Sequence, residues 1–325
     1  MREISSDLRE AILARKREGC ADHLLVERLV ARGLNALEAQ QAISSTVAST
    51  LQSERKLFRR LRKIEAILEF TRRHRRLSEI SYNVPKVLGI DRREFLGKYY
   101  AQNRPVLLEG AVRHWPAFSW TVDQLRSRCG SALVEVMTNR NADPRFEVNR
   151  DEHRETMLFA TFLEAFETNK KDNDWYIVAH NGVLEGPLSP LVEDMRPISG
   201  VLGPPKGSHM NLWMGPTGTL TPLHHDMTNV LLVQLMGRKA VHLAPALEIH
   251  LLYNDIGGFS DVDPRNIADH FPLAKNATFM PVDLEAGDAL FVPLGWWHFV
   301  ESRAPSISVS CSNFIFENDF PIYNP

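Results

Sequence analysis

Trp213-Met214-Gly215-Pro216-Thr217-Gly218-Thr219-Leu220-Thr221-Pro222-Leu223-His224-His225-Asp226 is the stretch that decides the fold. Glycine and proline punctuate its first half, and it ends on two histidines and an aspartate. On a strand, side chains alternate between faces, so His224 and Asp226 point one way and His225 the other. An imidazole and a carboxylate converging on one spot are two thirds of a 2-His-1-carboxylate metal triad. Alone the pair is a weak signal and needs a third ligand. His298, 72 residues after Asp226, is the candidate. It follows Gly287-Asp288, the apolar run Ala289 to Val292, and Pro293-Leu294-Gly295-Trp296-Trp297. That pattern reads as a turn, a short strand, a kink and the start of the next strand. The competing reading of His298 is a core histidine beside two tryptophans.

Around this stretch the chain is rich in short β-branched runs: Pro105 to Leu108, Trp175 to Val178, Val230 to Val233. Turn residues recur after residue 200, at Gly237, Gly257-Gly258 and Gly287-Asp288 among others. Many short strands so punctuated predict a sandwich, barrel or jelly roll. Residues 150–200 read as more helical, so the class is mixed: α+β with a β core.

The beginning of the chain differs. Residues 1–76 hold 17 Lys and Arg against 10 Asp and Glu, a net +7, and the rest carries −9. Charge of opposite sign suggests two modules, residues 1–80 helical and residues 81–325 β-rich. Helices are predicted over 7–18, after the Ser6-Asp7 cap pair and ending at Gly19, and over 22–32, ending at Gly33. A third starts at Asn35, with Glu38 completing a capping box. Beyond it, Leu57, Leu61, Ile64 and Leu68 form one amphipathic stripe. Arg55, Lys56, Arg59, Arg60, Arg62 and Lys63 lie opposite. The basic face reads either as a surface for nucleic acid or an acidic partner, or as a solvated face. In the second case the stripe packs on the β core or on a twin subunit in a homodimer. No DNA-reading motif is visible, so nucleic acid is not the expected partner.

Over all 325 residues, 44% are apolar and 24% charged, as in ordinary globular proteins. No apolar run approaches the ~18 residues of a membrane span, and the first residues lack the apolar stretch of a signal peptide. Cys20, Cys129 and Cys311 are too few and too scattered for a disulfide framework. A cytoplasmic protein with no membrane partner is expected.

The second module resembles the JmjC-type, cupin-like 2-oxoglutarate dioxygenases, and specifically the factor-inhibiting-HIF-like protein hydroxylases. The likeness runs from Trp213 to Asp226 through Met236-Gly237-Arg238-Lys239, resumes at Ser260 to Asp263, and continues from Trp296 to Ser302. It begins weakly at Arg104 to Gly110 and covers roughly residues 90–320. It implies a double-stranded β-helix, the jelly roll of the cupins. It also implies Fe(II) held by His224, Asp226 and His298, with 2-oxoglutarate as co-substrate. Lys239 matches the family lysine that pairs with the distal carboxylate, and Thr221 a hydroxyl that bonds the same group. Tyr176 matches a tyrosine reaching it from an earlier strand, and Asn313 a polar residue lining the pocket. A hairpin turn at Gly237-Arg238 would fold Lys239 back beside the ligand strand. One position departs from the family: Val230 stands where many relatives carry Asn, and Asn229 sits one residue early, on the opposite face.

The implied reaction couples oxidative decarboxylation of 2-oxoglutarate to hydroxylation of a C–H bond, with a protein or peptide side chain as the leading substrate. The alternatives are N-methyl-lysine or N-methyl-arginine demethylation, a small-molecule biosynthetic hydroxylase and a non-catalytic cupin binding module. The acids Asp255, Asp261, Asp263 and Asp269 are candidates to frame an entrance for a cationic substrate.

Overall fold

The computed structural model describes residues 5–77, 83–168, 171–255 and 257–320. Contacts divide the chain into two units, Met1–Arg73 and His74–Pro325. The boundary expected between residues 80 and 81 falls among residues outside the described ones.

In the first unit, helices start and stop close to the sequence punctuation. The cap of α1 (Ser6–Arg17) is Ser5, whose hydroxyl accepts from the Leu8 N–H, one residue earlier than the pair expected to do so. α2 (Asp22–Val30) ends before Gly33, which has a positive φ of 97°. The capping box is real: the Asn35 and Glu38 side chains each accept the other's backbone N–H, at 2.8 and 2.9 Å, and α3 (Ala36–Arg76) begins there. The apolar stripe expected on a further helix belongs to this same 41-residue helix. Ile12, Leu25, Leu29, Ala39, Ala42 and Ile43 make a small core among the three helices. Leu57, Leu61 and Ile64 are exposed farther along α3, as are Phe58, Ile67 and Phe70.

The second unit is built on two facing sheets. The larger has the spatial order β1 (Lys86–Val87), β2 (Val106–Leu108), β10 (Ala289–Val292), β7 (Val230–Met236), β12 (Ser306–Cys311), β5 (Met210–Gly215). The smaller has β6 (Leu220–His225), β11 (Trp297–Ser302), β8 (Lys239–Ala244), β9 (Met280–Leu284). Only the β1–β2 pairing in these sheets is parallel. After the single turn α4 (Arg92–Glu94), a separate hairpin, β3 (Leu133–Met137) with β4 (Arg154–Leu158), packs on α6 (Phe159–Glu167), which packs in turn on α5 (Val122–Cys129). This is the α+β jelly roll that the sequence predicts.

Alternation explains the packing. Leu232 of β7, Leu290 and Val292 of β10, Val241 and Leu243 of β8 and Val300 of β11 share the core between the sheets. Their neighbours Leu231, Val233, Ala289 and Phe291 belong to a second cluster, in which Phe291 packs against Phe95, Tyr100 and Phe314. On the smaller sheet Leu223, Trp297 and Phe299 are covered by Leu251, Leu252 and Val262. Each such side chain contributes about 1.5–3 kcal/mol on burial. Because the sheets are covered on both faces here, their central strands read as unbroken apolar runs rather than alternating ones.

Several expectations change on contact with the structure. Trp175 to Val178 forms no regular strand; Tyr176 bridges Met137, and Ile177 bridges Met214, so the run ties the β3–β4 hairpin to β5. Gly237-Arg238 does not close a hairpin either, since β7 and β8 belong to different sheets and these two residues turn the corner between them. The corner needs glycine: φ is +68°, and a Cβ would lie 2.1 Å from the Pro305 carbonyl oxygen. Among the described residues between 150 and 200, α-helix is confined to α6, with single 3-10 turns elsewhere.

Candidate active site

β6 and β11 run antiparallel with His224 opposite His298, but the register slips between His298 and Val300. Val300 pairs with Thr221, so two residues of β6, Pro222 and Leu223, stand against Phe299 alone. This β-bulge falls at a proline, which has no N–H to give to the ladder. It has two consequences for the site. Thr221 and His224, three apart and therefore on opposite faces of a regular strand, both line one cavity. The freed Pro222 carbonyl also accepts from His224 Nδ1 at 2.8 Å.

His298 is oriented in the same way, its Nδ1 lying 3.0 Å from the Trp296 carbonyl oxygen. A carbonyl can only accept, so Nδ1 carries the proton in both rings and each Nε2 presents its lone pair. The two imidazoles lie 3.9 Å apart by ring centroid. His298 Nε2 is 3.6 Å from Asp226 Oδ2. Ligand atoms of His224, Asp226 and His298 all fall within 4.8 Å of one another. Burial, and then the neighbouring His298, push the His224 pKa down to about 4, which keeps that ring neutral and able to ligate. Phe259 stacks on the His224 ring at 5.4 Å. The His225 ring packs edge-on against Trp297. The donor set fits a divalent metal ion: two neutral imidazoles fixed by carbonyls and one carboxylate, beside a cavity that leaves room for other ligands.

That cavity has a volume of about 350 Å³. Lys239, Tyr176, Thr221, Val230 and Trp213 line it together with the triad. Lys239 is 2% exposed, and its Nζ donates to the Tyr176 hydroxyl at 3.2 Å. Burial alone lowers the Lys239 pKa to about 7. Burial also raises that of Tyr176 to about 12, against a hydrogen bond with Thr221. The three groups expected at the co-substrate carboxylate are therefore mutual neighbours. A buried ammonium with no carboxylate partner among the described residues, beside two hydroxyls, is a cradle for an anion.

One expected neighbour is not there. Asn313 does not line the cavity; its amide donates to the Gly203 and Pro204 carbonyls, at 3.0 and 2.9 Å, and so fastens the end of the β core to that loop. None of Asp255, Asp261, Asp263 and Asp269 lines it either, and Asp263 and Asp269 are paired with Arg265 and Lys275. Arg238, the cation nearest Lys239 in sequence, is also absent from the lining.

Glu147, Arg150 and His180 also belong to the lining, and nothing in the sequence pattern marks them. They come from irregular connectors. Behind them, fully buried Arg140 donates to Glu147 at 2.7 Å and to Asn173 at 2.8 Å. Its guanidinium lies 4.1 Å from the Phe146 ring centroid and 5.1 Å from that of Tyr176. Arg140 thus braces Tyr176 from the side away from the cavity.

A jelly roll with a His-Asp-His cluster at one end of the paired strands β6 and β11, and a buried lysine in the same cavity, defines a cupin-type metal-site protein. The cupin-like domain family matches residues 92–320. The chain is 33% identical over 241 residues to the lysine-specific demethylase JMJ30 of Arabidopsis thaliana, covering 70% of this chain and 54% of that one. It is 28% identical over 237 residues to the lysine-specific demethylase 8 of Xenopus tropicalis, covering 70% and 52%. It is 25% identical over 251 residues to the tRNA wybutosine-synthesizing protein 5 of Mus musculus, covering 72% and 78%. The chain belongs to the JmjC-type cupin-like family of Fe(II)/2-oxoglutarate oxygenases. It spans about half the length of the first two of these relatives. No helix among the described residues is long and apolar enough to cross a membrane.

Proposed function

We propose that this protein is an Fe(II)- and 2-oxoglutarate-dependent oxygenase that hydroxylates an amino-acid side chain in a protein or peptide. One observation carries the reading: the His224, Asp226 and His298 ligand atoms and the Lys239 ammonium open into the same cavity. His224 and His298 would hold the iron through Nε2, and Asp226 through its carboxylate. The iron, when bound with 2-oxoglutarate and dioxygen, supplies the oxidising power to put one oxygen atom into a C–H bond, with succinate and carbon dioxide as the other products.

The chain's own groups do the rest. Lys239 pairs with the distal carboxylate of the co-substrate, with hydrogen bonds from Tyr176 and Thr221 fixing its angle. Trp213, Val230, Leu232 and Val292 keep that part of the cavity apolar and dry. Glu147, Arg150 and His180 are among the lining groups left to meet a substrate.

The relatives named as lysine-specific demethylases favour a second outcome of the same chemistry, in which the hydroxylated carbon is an N-methyl group. The test incubates the protein with Fe(II), 2-oxoglutarate and candidate peptides, methylated and not, and follows succinate and peptide mass. A gain of one oxygen supports hydroxylation; loss of a methyl with formaldehyde release supports demethylation. Failure to form succinate under any of these conditions, by protein shown to bind both metal and 2-oxoglutarate, would refute the reading.

A further inference from the structure

Asp226 lies just past the end of β6, and its side chain is 44% exposed, so its own packing does not hold it in place. The loop it begins is nevertheless pinned. The Asp226 carbonyl accepts from the Gly295 N–H at 2.8 Å. Asn229, 4% exposed, accepts from the Leu294 N–H at 2.9 Å through Oδ1. Its backbone N–H and Nδ2 both donate to Asn318 Oδ1, each at 3.0 Å. Asn318 Nδ2 donates back to the Asn229 carbonyl at 3.0 Å and to the Ser312 carbonyl at 3.1 Å. Asn318 therefore clasps residue 229 by both its N–H and its C=O, as a strand partner would. The Tyr100 hydroxyl closes over it, at 3.2 Å from Asn318 Oδ1 and 2.8 Å from the Glu317 carbonyl.

The same network reaches the other side of the cluster. Asn103 Nδ2 donates to the Leu294 carbonyl at 2.9 Å, and its Oδ1 accepts from Trp296 Nε1 at 2.7 Å. Trp296 is the residue whose carbonyl fixes the His298 ring. Asn103 adopts φ +50°, a left-handed conformation in which asparagine is among the few favoured side chains.

We propose that Asn318, in the tail after β12, and Asn103, before β2, are positioning residues of the metal centre, which hold the Asp226 loop and the His298 turn in one polar clasp. The proposal rests on the reading of His224, Asp226 and His298 as metal ligands. The geometry separates the two tasks. Asn318 acts through Asn229 on the segment carrying the carboxylate, and Asn103 acts through Trp296 on the imidazole. Neither touches the metal atoms. Partners that hydrogen-bond a ligand directly set metal affinity by about 10- to 100-fold, and Asn318 and Asn103 stand one step beyond such partners, which places them at the low end.

The test is calorimetric titration of Mn(II) into the full chain, beside its melting temperature. Asn318→Ala should weaken Mn(II) binding by about tenfold, which follows from the low end of that range. Asn103→Gly, which keeps the left-handed backbone and removes only the amide, should weaken it to a similar degree. The control is Trp120→Phe, which deletes a half-buried hydrogen bond to Asp194 outside the cavity lining and should keep wild-type affinity at a comparable loss of melting temperature. Wild-type Mn(II) affinity in Asn103→Gly and in folded Asn318→Ala, or weakening that merely tracks melting temperature across all three variants, overturns the clasp. Absence of Mn(II) binding by the wild-type chain overturns the ligand assignment itself, and the clasp with it.

Discussion

Replacing Lys239 by alanine removes the one buried cation that the cavity offers to a carboxylate among its described lining residues. The side chain is 2% exposed and spends its ammonium on the Tyr176 hydroxyl at 3.2 Å, with no carboxylate partner among the described residues. Losing a hydrogen-bonded charge partner from such a site costs on the order of 2–3 kcal/mol. At about 1.4 kcal/mol per decade, 2-oxoglutarate should bind roughly 30- to 150-fold more weakly to Lys239→Ala. The assay is titration of 2-oxoglutarate into the Mn(II)-loaded protein, with Mn(II) affinity as the control for an intact triad. Unchanged 2-oxoglutarate affinity in a folded, metal-binding variant would refute the assignment. Arg238 is the obvious substitute, but it does not reach the cavity, so no rescue by it is expected.

Tyr176→Phe removes a single hydrogen bond of about 1 kcal/mol and should weaken 2-oxoglutarate about fivefold, with metal affinity unchanged in the same titration. Lys239, whose pKa burial holds near 7, is charged below that pH and neutral above it in the free protein. A dianionic ligand needs the charge, so binding takes up a proton, and affinity should fall by up to about tenfold per pH unit above pH ~7. Calorimetry in buffers of different ionisation enthalpy measures that uptake; a flat profile with no proton uptake would contradict it. Gly237→Ala combines a left-handed backbone with a Cβ 2.1 Å from a carbonyl oxygen. It should cost at least about 2 kcal/mol and lower the melting temperature by roughly 4–8 °C, read by scanning calorimetry.

The metal cluster was legible in the sequence because His224 and Asp226 need only strand alternation, and because His298 follows a turn, strand and kink that the structure reproduces as β10 and β11. Thr221 was legible only through family likeness. Its three-residue spacing from His224 contradicts alternation, and the bulge at Pro222 removes the contradiction. A proline inside a strand pattern was the available signal. Lys239 reaches the cavity by another route than the one expected. The chain turns a corner between sheets at Gly237, where the sequence alone predicts a two-residue hairpin. Arg140, Glu147, Arg150 and His180 were not legible, since irregular connectors carry no periodicity that assigns a face. Asn313 shows the opposite error: a polar residue at a plausible spacing spends its amide on two loop carbonyls instead. Asn229, displaced by one residue from the family position, faces away from the cavity as alternation requires, and its side chain serves the clasp with Asn318.

The measurement that bears most directly on the central claim is succinate formation from 2-oxoglutarate in the presence of Fe(II) and air. Wild-type protein should produce succinate, and His224→Ala and Asp226→Ala should not, while both variants keep the wild-type circular dichroism spectrum. Succinate formation by either variant at the wild-type rate would contradict the account.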